Sequence, residues 1–510
     1  MLLALVLVPL VGAVAAAVLG RGGATSARLV GLVGALATLG VAVAVTLSYD
    51  HSGSGMQLTT EHEWIGPVGA HLALGVDGLA LVMVLLTVVL VPIVLVAEWR
   101  TGEADGRTGS FAAWVLGLEA AALAVFLATD VFLFYVVFEA TLIPAYFLVG
   151  GFGGPGRARA ATKFLVYQLA GGLVMLLSVV GLYVVSAQQG APSYLVDDLA
   201  ALDLSEGMGR WLFLGFFVAF AVKAPLFPVH TWLADTTQAA TPGTSVLLIC
   251  ILDKIGTYGM IRFCLGLFPE ASVWATPAVV TLALISIVYG ALVAIGQDDL
   301  LRLVGLTSLS HFGFIVLGIF VLTDQGHTGA ILYMVNHGIA TAALFLVAGF
   351  AIRRSGTASI AAMGGMEKAA PVLAGLFLVA GMATLGLPGL APFVSEFLVT
   401  LAAFDYAWYA GAIAVTGIVL AAVYVLWAYQ RTMTGPLRGT PVVAGDLDRR
   451  EVGVLVPLVV ALVGLGFFPS LLTDVVEPTT QVVLEHVGEH GGPADDGPDV
   501  PAADSEQGGR

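Results

Sequence analysis

Charged residues are scarce in this 510-residue chain: Asp, Glu, Lys and Arg make up 11% of it, and hydrophobic residues make up 58%. Soluble domains usually contain about 25% charged residues. A soluble fold of this length could not bury so much apolar surface, whereas a lipid bilayer accommodates it. The composition therefore excludes an ordinary soluble domain and predicts a polytopic membrane protein.

Cysteine and cofactor-binding motifs are also scarce. The two cysteines, Cys250 and Cys264, lie in apolar runs and form no CxxC pair, so we interpret them as small core residues rather than metal ligands. A glycine-rich nucleotide loop is represented only by the fragment Gly151–Gly154, which has no flanking strand pattern. We therefore predict that this chain holds no metal or cofactor and carries no redox chemistry of its own.

Long apolar runs recur along almost the whole chain. Crossing about 30 Å of hydrocarbon takes roughly 20 mostly apolar residues in a helix. Fourteen runs approach or exceed that length, near 2–20, 27–49, 76–98, 110–128, 130–150, 161–186, 210–233, 241–265, 272–295, 301–322, 327–351, 371–402, 408–432 and 451–474. The sequence therefore predicts an all-α membrane protein with about fourteen transmembrane helices, in which spans 4 and 5 are separated only at Thr129–Asp130. The first run has no basic segment before it and is predicted to be a retained helix rather than a cleaved signal.

Basic residues alternate between loops in a way that supports this count. The loops on one predicted side hold Arg21, Arg28, Arg100, Arg107, Arg157, Arg159, Lys163, Arg302, Arg353, Arg354, Lys368, Arg431, Arg438, Arg449 and Arg450, and the opposite loops and tail hold Arg210, Arg262 and Arg510. By the positive-inside rule the first side is cytoplasmic. The composition, rich in Ala, Gly and Val, favours a bacterial source. We therefore expect a multi-pass protein of a bacterial inner (cytoplasmic) membrane, with both termini on the periplasmic side.

The C-terminal segment differs from the rest in composition. Much of the net charge of −15 at pH 7 lies after Asp474, where Asp, Glu, Gly and Pro predominate. Such a segment cannot bury enough apolar surface to fold alone, so we predict that residues 475–510 form a disordered acidic periplasmic tail. Its stretch EHVGEH, residues 485–490, is a candidate weak metal site, but a solvated tail is the favoured interpretation.

Nine ionisable side chains inside the predicted spans are taken as functional candidates, because a charge in the membrane costs roughly 3 kcal/mol on insertion scales. They are Glu119 in span 4, Glu139 in span 5, Lys223 and, near its cytoplasmic end, His230 in span 7, Asp253 and Lys254 in span 8, His311 in span 10, His337 in span 11 and Glu396 in span 12. Carboxylates, lysines and histidines can exchange protons, whereas arginine cannot give up its proton. Arginine is absent from the middle of the spans. The set therefore predicts a proton relay. Its main members are Glu139, Lys223, Lys254, His311, His337 and Glu396, and Glu119 and His230 are additional candidates.

A structural explanation competes with the relay. Glu139 and Lys223 could form a static buried ion pair, and Asp253 is expected to face another side of its helix than Lys254. The remaining histidines are assigned to the outer loops and the tail and are interpreted as solvated: His51, His62, His71, His327, His486 and His490.

Two spans carry helix-breaking residues beside an intramembrane charge. Span 7 reads FAVKAPLFPVHTWL, with Pro225 and Pro228 after Lys223, and span 12 reads TLGLPGLAPFVSEF, with Pro388 and Pro392 before Glu396. Proline removes a helical hydrogen bond, and corresponding broken helices are typical of inverted repeats around a transport path. We predict two inverted five-helix repeats, spans 4–8 (residues 110–265) and 9–13 (residues 272–432), preceded by spans 1–3 (residues 1–109) and followed by span 14 (residues 451–474). A kink that serves only packing is the alternative.

Three stretches resemble the antiporter-like membrane subunits of proton-pumping NADH:quinone oxidoreductase, complex I. They are FEATLIPAYFLVGGFGG from Phe138, KAPLFPVHTWLAD from Lys223 and GLPGLAPFVSEF from Gly386, and ILDKIGTYGMIRF from Ile251 is similar to the eighth helix of that family. The resemblance covers nearly all of the spans. The family often has PDAHxEAP after HTWL, whereas this chain reads ADTTQAATP, so the usual loop histidine and acid are missing from residues 234–242.

The resemblance implies a branch of the family and a mechanism. L-type and N-type subunits usually have lysine at the broken twelfth helix and M-type subunits have glutamate, so Glu396 indicates the M-type. Lys223 would be the switch tuned by Glu139; Lys254, His311 and His337 would pass the proton laterally to Glu396. Quinone reduction in other subunits would drive the transfer, and flavin, iron–sulfur clusters and quinone are expected in those subunits. The implied partners are L-type and N-type paralogues in the bilayer, with no nucleic acid.

Other functions remain open on the sequence alone. A subunit of a multisubunit sodium/proton antiporter or of a membrane-bound hydrogenase would share the fold, but these commonly carry lysine where Glu396 stands. A stand-alone transporter of organic solutes would need a polar substrate cavity, and the spans offer few polar groups beyond the titratable row. A purely structural scaffold gives no reason to keep Lys223 and Lys254 in the membrane.

Overall fold

The computed structural model describes residues 1–20, 23–190, 192–438 and 445–490. The helices are α1 (Leu2–Leu19), α2 (Ala24–Ser48), α3 (Gly78–Ala97), α4 (Thr108–Leu127), α5 (Val131–Ala140), α6 (Leu142–Phe152), α7 (Arg157–Gln189), α8 (Val196–Ala200), α9 (Glu206–Lys223), α10 (Trp232–Ala239), α11 (Pro242–Val246), α12 (Asp253–Gly259), α13 (Pro269–Ile295), α14 (Leu300–Phe320), α15 (Asp324–Ser355), α16 (Met366–Ala369), α17 (Pro371–Thr384), α18 (Ala391–Tyr406), α19 (Trp408–Met433), α20 (Arg449–Phe467) and α21 (Ser470–His490). The π-helical segment Leu247–Leu252 joins α11 to α12, and a second one, Met260–Leu265, follows α12, so that residues 242–265 form one continuous helix.

The predicted number of spans is confirmed once the broken helices are included. In the described residues, twelve helices are long and apolar enough to cross a membrane, with α5–α6 and the helix 242–265 each taken as one. The two further predicted spans, 210–233 and 371–402, are divided into shorter helices. The twelve long helices and these two interrupted spans together make fourteen. The fold is therefore that of an all-α membrane protein, as predicted.

The helices that carry the central titratable residues lie in the middle of the bundle. The most apolar stretches of α14, α15 and the helix 242–265 are completely buried, whereas those of α1, α2 and α20 are only 28–33% buried. A helix that is apolar all round is stable inside a bundle or facing lipid. The central position of α12, α14 and α15 therefore removes their lysine and histidine side chains from lipid.

The break in span 7 is stabilised by a side chain of the same segment. Helix α9 ends at Lys223 and α10 begins at Trp232, and the Trp232 indole Nε1 donates to the carbonyl oxygen of Val222 at 3.1 Å. Gly256 of α12 packs directly on this break, because a Cβ there would lie 2.6 Å from the Ala224 amide nitrogen. The freed backbone group is thus satisfied by protein, which is the condition for irregular backbone at membrane depth.

The second predicted break is also present, and span 5 contains one that was not predicted. Span 12 is interrupted between Thr384 and Ala391, and Gly386 and Gly389 there have φ values of +74° and +93°. Span 5 divides at Thr141, where Pro144 has no N–H to donate to the carbonyl of Ala140. Each predicted repeat therefore contains an interrupted helix, while the inverted relation of the repeats and the domain boundaries stay predictions.

A hairpin outside the bundle is an exception to the all-α architecture. Strands β1 (Gln57–Ile65) and β2 (Ala70–Val76) pair antiparallel between α2 and α3. They lie in the stretch between predicted spans 2 and 3, for which no regular structure was predicted. The Asp130 carboxylate accepts from the His71 amide at 2.8 Å and from the Leu133 amide at 2.7 Å. This residue therefore anchors the hairpin and begins α5, which confirms the predicted division between spans 4 and 5.

The prediction that the tail is disordered from residue 475 is wrong for residues 475–490. These residues belong to α21, which starts after α20 ends at Phe467, earlier than the predicted end of span 14. The helix is stable because it buries Val476 and Val487 against the bundle and the Thr479 hydroxyl accepts from the Gly78 amide at 3.1 Å. Composition alone did not reveal this amphipathic face. Residues 491–510 of the predicted tail lie outside the described residues.

Candidate functional site

The Lys223 side chain lies at the break in span 7, buried against the break in span 5. Its ammonium Nζ donates to the Thr141 hydroxyl at 3.0 Å and stands 4.4 Å from the centroid of the Phe138 ring. The end of α9 and the end of α5 thus place one cation between a hydroxyl and an aromatic face. Both contacts stabilise an ammonium that is only 1% exposed.

Glu139 is near this cation but does not form the static ion pair that we considered. Among the described residues, Lys223 has no carboxylate oxygen within 4.0 Å of Nζ. The half-buried Glu139 lies against α7 instead, where a Cβ on Gly172 would be 1.6 Å from its Oε1, and that oxygen has no hydrogen-bond partner in the described chain. The carboxylate is therefore free to change partners.

Lys254 lies on the central helix and contacts a histidine of α15. Its Nζ is 2.8 Å from His337 Nδ1 and 4.1 Å from the centroid of the Phe312 ring, and its side chain is fully buried. The adjacent Asp253 is also buried, with its Oδ2 unpartnered in the described residues. The Lys254–His337 contact is a direct route for a proton between an amine and an imidazole.

A tyrosine joins His311 to Glu396. The Tyr333 hydroxyl lies 2.5 Å from His311 Nδ1 and donates a short hydrogen bond to Glu396 Oε1. On its other side, His311 Nε2 is 3.2 Å from the Tyr424 hydroxyl. His311 and Glu396 themselves are 3.8 Å apart, between Nδ1 and Oε1, so the hydroxyl of Tyr333 supplies the connection.

The six main predicted residues thus form two groups. The first contains Glu139 and Lys223. The second runs from Lys254 through His337 and His311 to Glu396, and the two histidine rings are 5.3 Å apart between centroids. Glu396 is 4% exposed and bonded to Tyr333, so it faces the protein interior and not lipid.

The two additional candidates, Glu119 and His230, are buried but have no hydrogen bond to these groups among the described residues. Glu119 of α4 is 1% exposed, and neither carboxylate oxygen has a partner in the described chain. His230 lies in the break between α9 and α10, with its ring 5.3 Å from that of Tyr289. Its Nδ1 is likewise unpartnered in the described part of the chain.

Three hydroxyl groups that contact the candidate relay residues were not predicted from the sequence, and one histidine was assigned to the wrong environment. Thr141, Tyr333 and Tyr424 contact the row, and only Tyr333 had a signal, because it precedes His337 by one helical turn and so shares its face. His327 was interpreted as solvated, which is wrong: it lies within α15, is fully buried, and its Nε2 is 3.0 Å from the Ile319 carbonyl oxygen. The polar residues and glycine at 323–326, directly before His327, predict a loop and gave no indication that α15 begins at Asp324.

Metal ligands do not converge in the part of the chain that the structure describes: no group of three or more His, Cys, Asp or Glu side chains could hold a metal ion there. His486 of the EHVGEH stretch is half-buried and bonded to the Gly266 carbonyl at 3.1 Å, which differs from the solvated interpretation. The prediction that this chain holds no cofactor stays a prediction.

A multi-helix membrane bundle with interrupted helices beside buried Lys, His and Glu side chains has the architecture of a membrane translocator. A family model described as NADH:quinone oxidoreductase/Mrp antiporter, TM, matches residues 128–421. This match covers both broken helices and every predicted relay residue except Glu119. The chain belongs to this family.

Individual relatives match over nearly the full chain. NADH-quinone oxidoreductase subunit M of Mycobacterium tuberculosis (strain ATCC 25618 / H37Rv) is 47% identical, over 95% of this chain and 94% of its own. A chain of respiratory complex I from Thermus thermophilus with bound NADH has a TM-score of 0.87 and 33% identity, covering 96% of this chain and 100% of that chain. A chain of the Mrp complex from Dietzia sp. DQ12-45-1b has a TM-score of 0.83 at 23% identity, covering 95% of this chain and 98% of that one, which shows a shared fold alone.

Proposed function

We propose that this chain is the M-type proton-translocating membrane subunit of a respiratory NADH:quinone oxidoreductase. It resides in a bacterial inner membrane with both termini on the periplasmic side and packs between L-type and N-type paralogues. The observation that carries the proposal is the buried row of Lys254, His337, His311, Tyr333 and Glu396. Hydrogen bonds join Lys254 to His337 and His311 through Tyr333 to Glu396, and the two histidine rings are 5.3 Å apart. The 47% identity to a subunit M and the likeness to a complex I chain support it.

The proton moves through groups that this chain supplies. Lys223 holds a proton beside Thr141 and gives it up when the Glu139 carboxylate moves away, because a nearby anion stabilises the ammonium form. Lys254 takes up the proton and shares it with His337, and His311 and Tyr333 pass it to Glu396. Quinone reduction in partner subunits, which carry the flavin and iron–sulfur clusters, drives the cycle, so this chain performs translocation and no electron transfer.

The alternative is a subunit of a multisubunit sodium/proton antiporter or of a membrane-bound hydrogenase. The fold shared with the Mrp chain at 23% identity does not separate the two functions. The acidic Glu396 at the second broken helix disfavours the alternative, because lysine is usual there in those subunits. We therefore retain the respiratory function.

The test is substitution of Lys223 in the assembled complex. Lys223→Ala and Lys223→Arg are expected to abolish most proton uptake into proteoliposomes during NADH oxidation, because alanine carries no proton and arginine does not release one. Lys368→Ala is the matched control, since Lys368 is an exposed lysine of α16. Proton uptake at the control level in both Lys223 variants contradicts the proposed relay.

A further inference from the structure

A buried amide on α7 has no role in the relay described so far. Gln168 is 2% exposed, and neither its Nε2 nor its Oε1 has a hydrogen-bond partner among the described residues. Burying an amide without a partner is unfavourable, and such groups in folded proteins are usually satisfied by protein or by ordered water. The site of Gln168 is thus suited to hold internal water.

Helical spacing places Gln168 between the two broken helices of the first repeat. One turn toward the C-terminus of α7, Gly172 abuts the Glu139 carboxylate. One turn toward the N-terminus, the Phe164 ring is 5.3 Å from that of Trp232, the residue two positions after His230. Since residues i and i+4 share a helix face, Gln168 lies at the level between His230 and Glu139.

The groups on either side of Gln168 also have unsatisfied polar atoms. Glu139 Oε1 and His230 Nδ1 have no hydrogen-bond partner in the described chain. Gly171, about one turn after Gln168 in α7, packs on Val222, the residue before Lys223: a Cβ on Gly171 would lie 3.3 Å from the Val222 Cβ. Three side chains from α5, α7 and the break before α10 therefore offer donors and acceptors to water within one region.

The N-terminal end of α7 borders a partly open cavity. Its volume is about 660 Å³, and its lining includes the charged or polar side chains of Arg159, Lys163, Asp235 and Gln238. Lys163 joins it to the broken helix, because its Nζ donates to the Thr231 carbonyl at 2.8 Å and to Asp235 at 2.7 Å. This cavity thus adjoins the segment that carries His230.

We propose that Gln168 is a positioning residue that holds internal water between His230 and Glu139 and so completes a proton inlet from this cavity to Lys223. The amide itself does not titrate: its NH₂ group donates to water and its carbonyl accepts from water. A proton enters the water chain at His230 as another leaves it at Glu139 or Lys223, so no bond other than O–H and N–H forms or breaks. This inference rests on the proposed function and adds a residue to it.

The test uses the assembled complex in proteoliposomes. Gln168→Leu keeps a similar volume but cannot bind water. It is expected to lower proton uptake about tenfold, less than the roughly 10²–10⁴-fold contributed by a side chain that transfers the proton itself, because Gln168 only positions water. Gln168→Ser leaves room for an additional water and retains a hydroxyl, so uptake is expected to recover to within about threefold of wild type. The matched control is Met175→Leu, on the same buried face of α7, and it should leave uptake unchanged.

Two results separate failure of this inference from failure of the proposed function. If Gln168→Leu pumps like Met175→Leu while Lys223→Ala is inactive, the water inlet is wrong and the relay stands. If Lys223→Ala pumps normally, the relay itself is wrong. For variants that do not assemble, a high-resolution map of the wild-type complex decides: ordered water within about 3.2 Å of the Gln168 amide supports the inlet, and a protein or lipid contact there overturns it.

Discussion

The hydroxyl of Tyr333 is the shortest connection in the row and the one most easily removed. Tyr333→Phe deletes one oxygen and keeps the ring, which packs 5.8 Å from the His311 ring between centroids. His311 Nδ1 and Glu396 Oε1 are then left 3.8 Å apart, beyond the roughly 2.7–3.2 Å of a hydrogen bond. Proton transfer between them must wait for a movement of about 1 Å or for water.

The expected size of the effect follows from the groups left unpaired. Loss of the bridge leaves buried polar atoms on His311 and Glu396 without a partner, at a cost of about 1–3 kcal/mol. If that cost appears in the barrier to transfer, the rate of this step falls roughly 5- to 150-fold. The rate of proton uptake into proteoliposomes during NADH oxidation measures it. The matched control is Tyr424→Phe, because Tyr424 contacts His311 Nε2 at 3.2 Å but leaves the link to Glu396 intact.

Two outcomes refute this reasoning. Uptake in Tyr333→Phe equal to that of the wild-type complex would show that the proton does not pass through Tyr333. A loss in Tyr424→Phe as large as that in Tyr333→Phe would show that the aromatic packing around His311, and not the bridge, is what matters.

Two further substitutions test the surroundings of the row. Gly386→Ala should lower proton uptake, because a Cβ there would lie 2.0 Å from Glu396 Oε2. Gly389→Ala is the control for backbone strain alone, because Gly389 has a similarly positive φ but a Cβ there would lie 3.6 Å from the nearest side-chain atom. Equal losses in both variants would contradict a specific effect on Glu396. Asp77→Asn should destabilise the assembled complex by about 3–5 kcal/mol, because it leaves Arg262 without the carboxylate 2.6 Å away. Asparagine still caps α3, so the effect reports the lost ion pair. A lower midpoint of thermal unfolding measures it. Glu206→Gln, in an exposed pair with Arg210, should change stability by less than about 1 kcal/mol, and an equal shift in both variants would refute the argument.

The membrane class and the candidate residues followed from the sequence alone because hydrocarbon imposes strict rules on any chain that crosses it. About twenty apolar residues are needed for each span, and an ionisable group among them is costly. Lys223, Lys254 and Glu396 therefore stood out without any knowledge of their neighbours, and Pro225 and Pro388 marked the breaks, since proline cannot complete a helical hydrogen bond.

Tertiary structure alone decided how these residues are connected. Tyr333 and Thr141 are unremarkable in an apolar sequence, and their importance comes from distances of 2.5 Å to His311 and 3.0 Å to Lys223 across different helices. The amphipathic α21 and the burial of His327 were missed for a related reason. Composition and local spacing report what a segment contains, whereas contacts such as that of Thr479 with Gly78, 401 positions away, arise only when the helices pack.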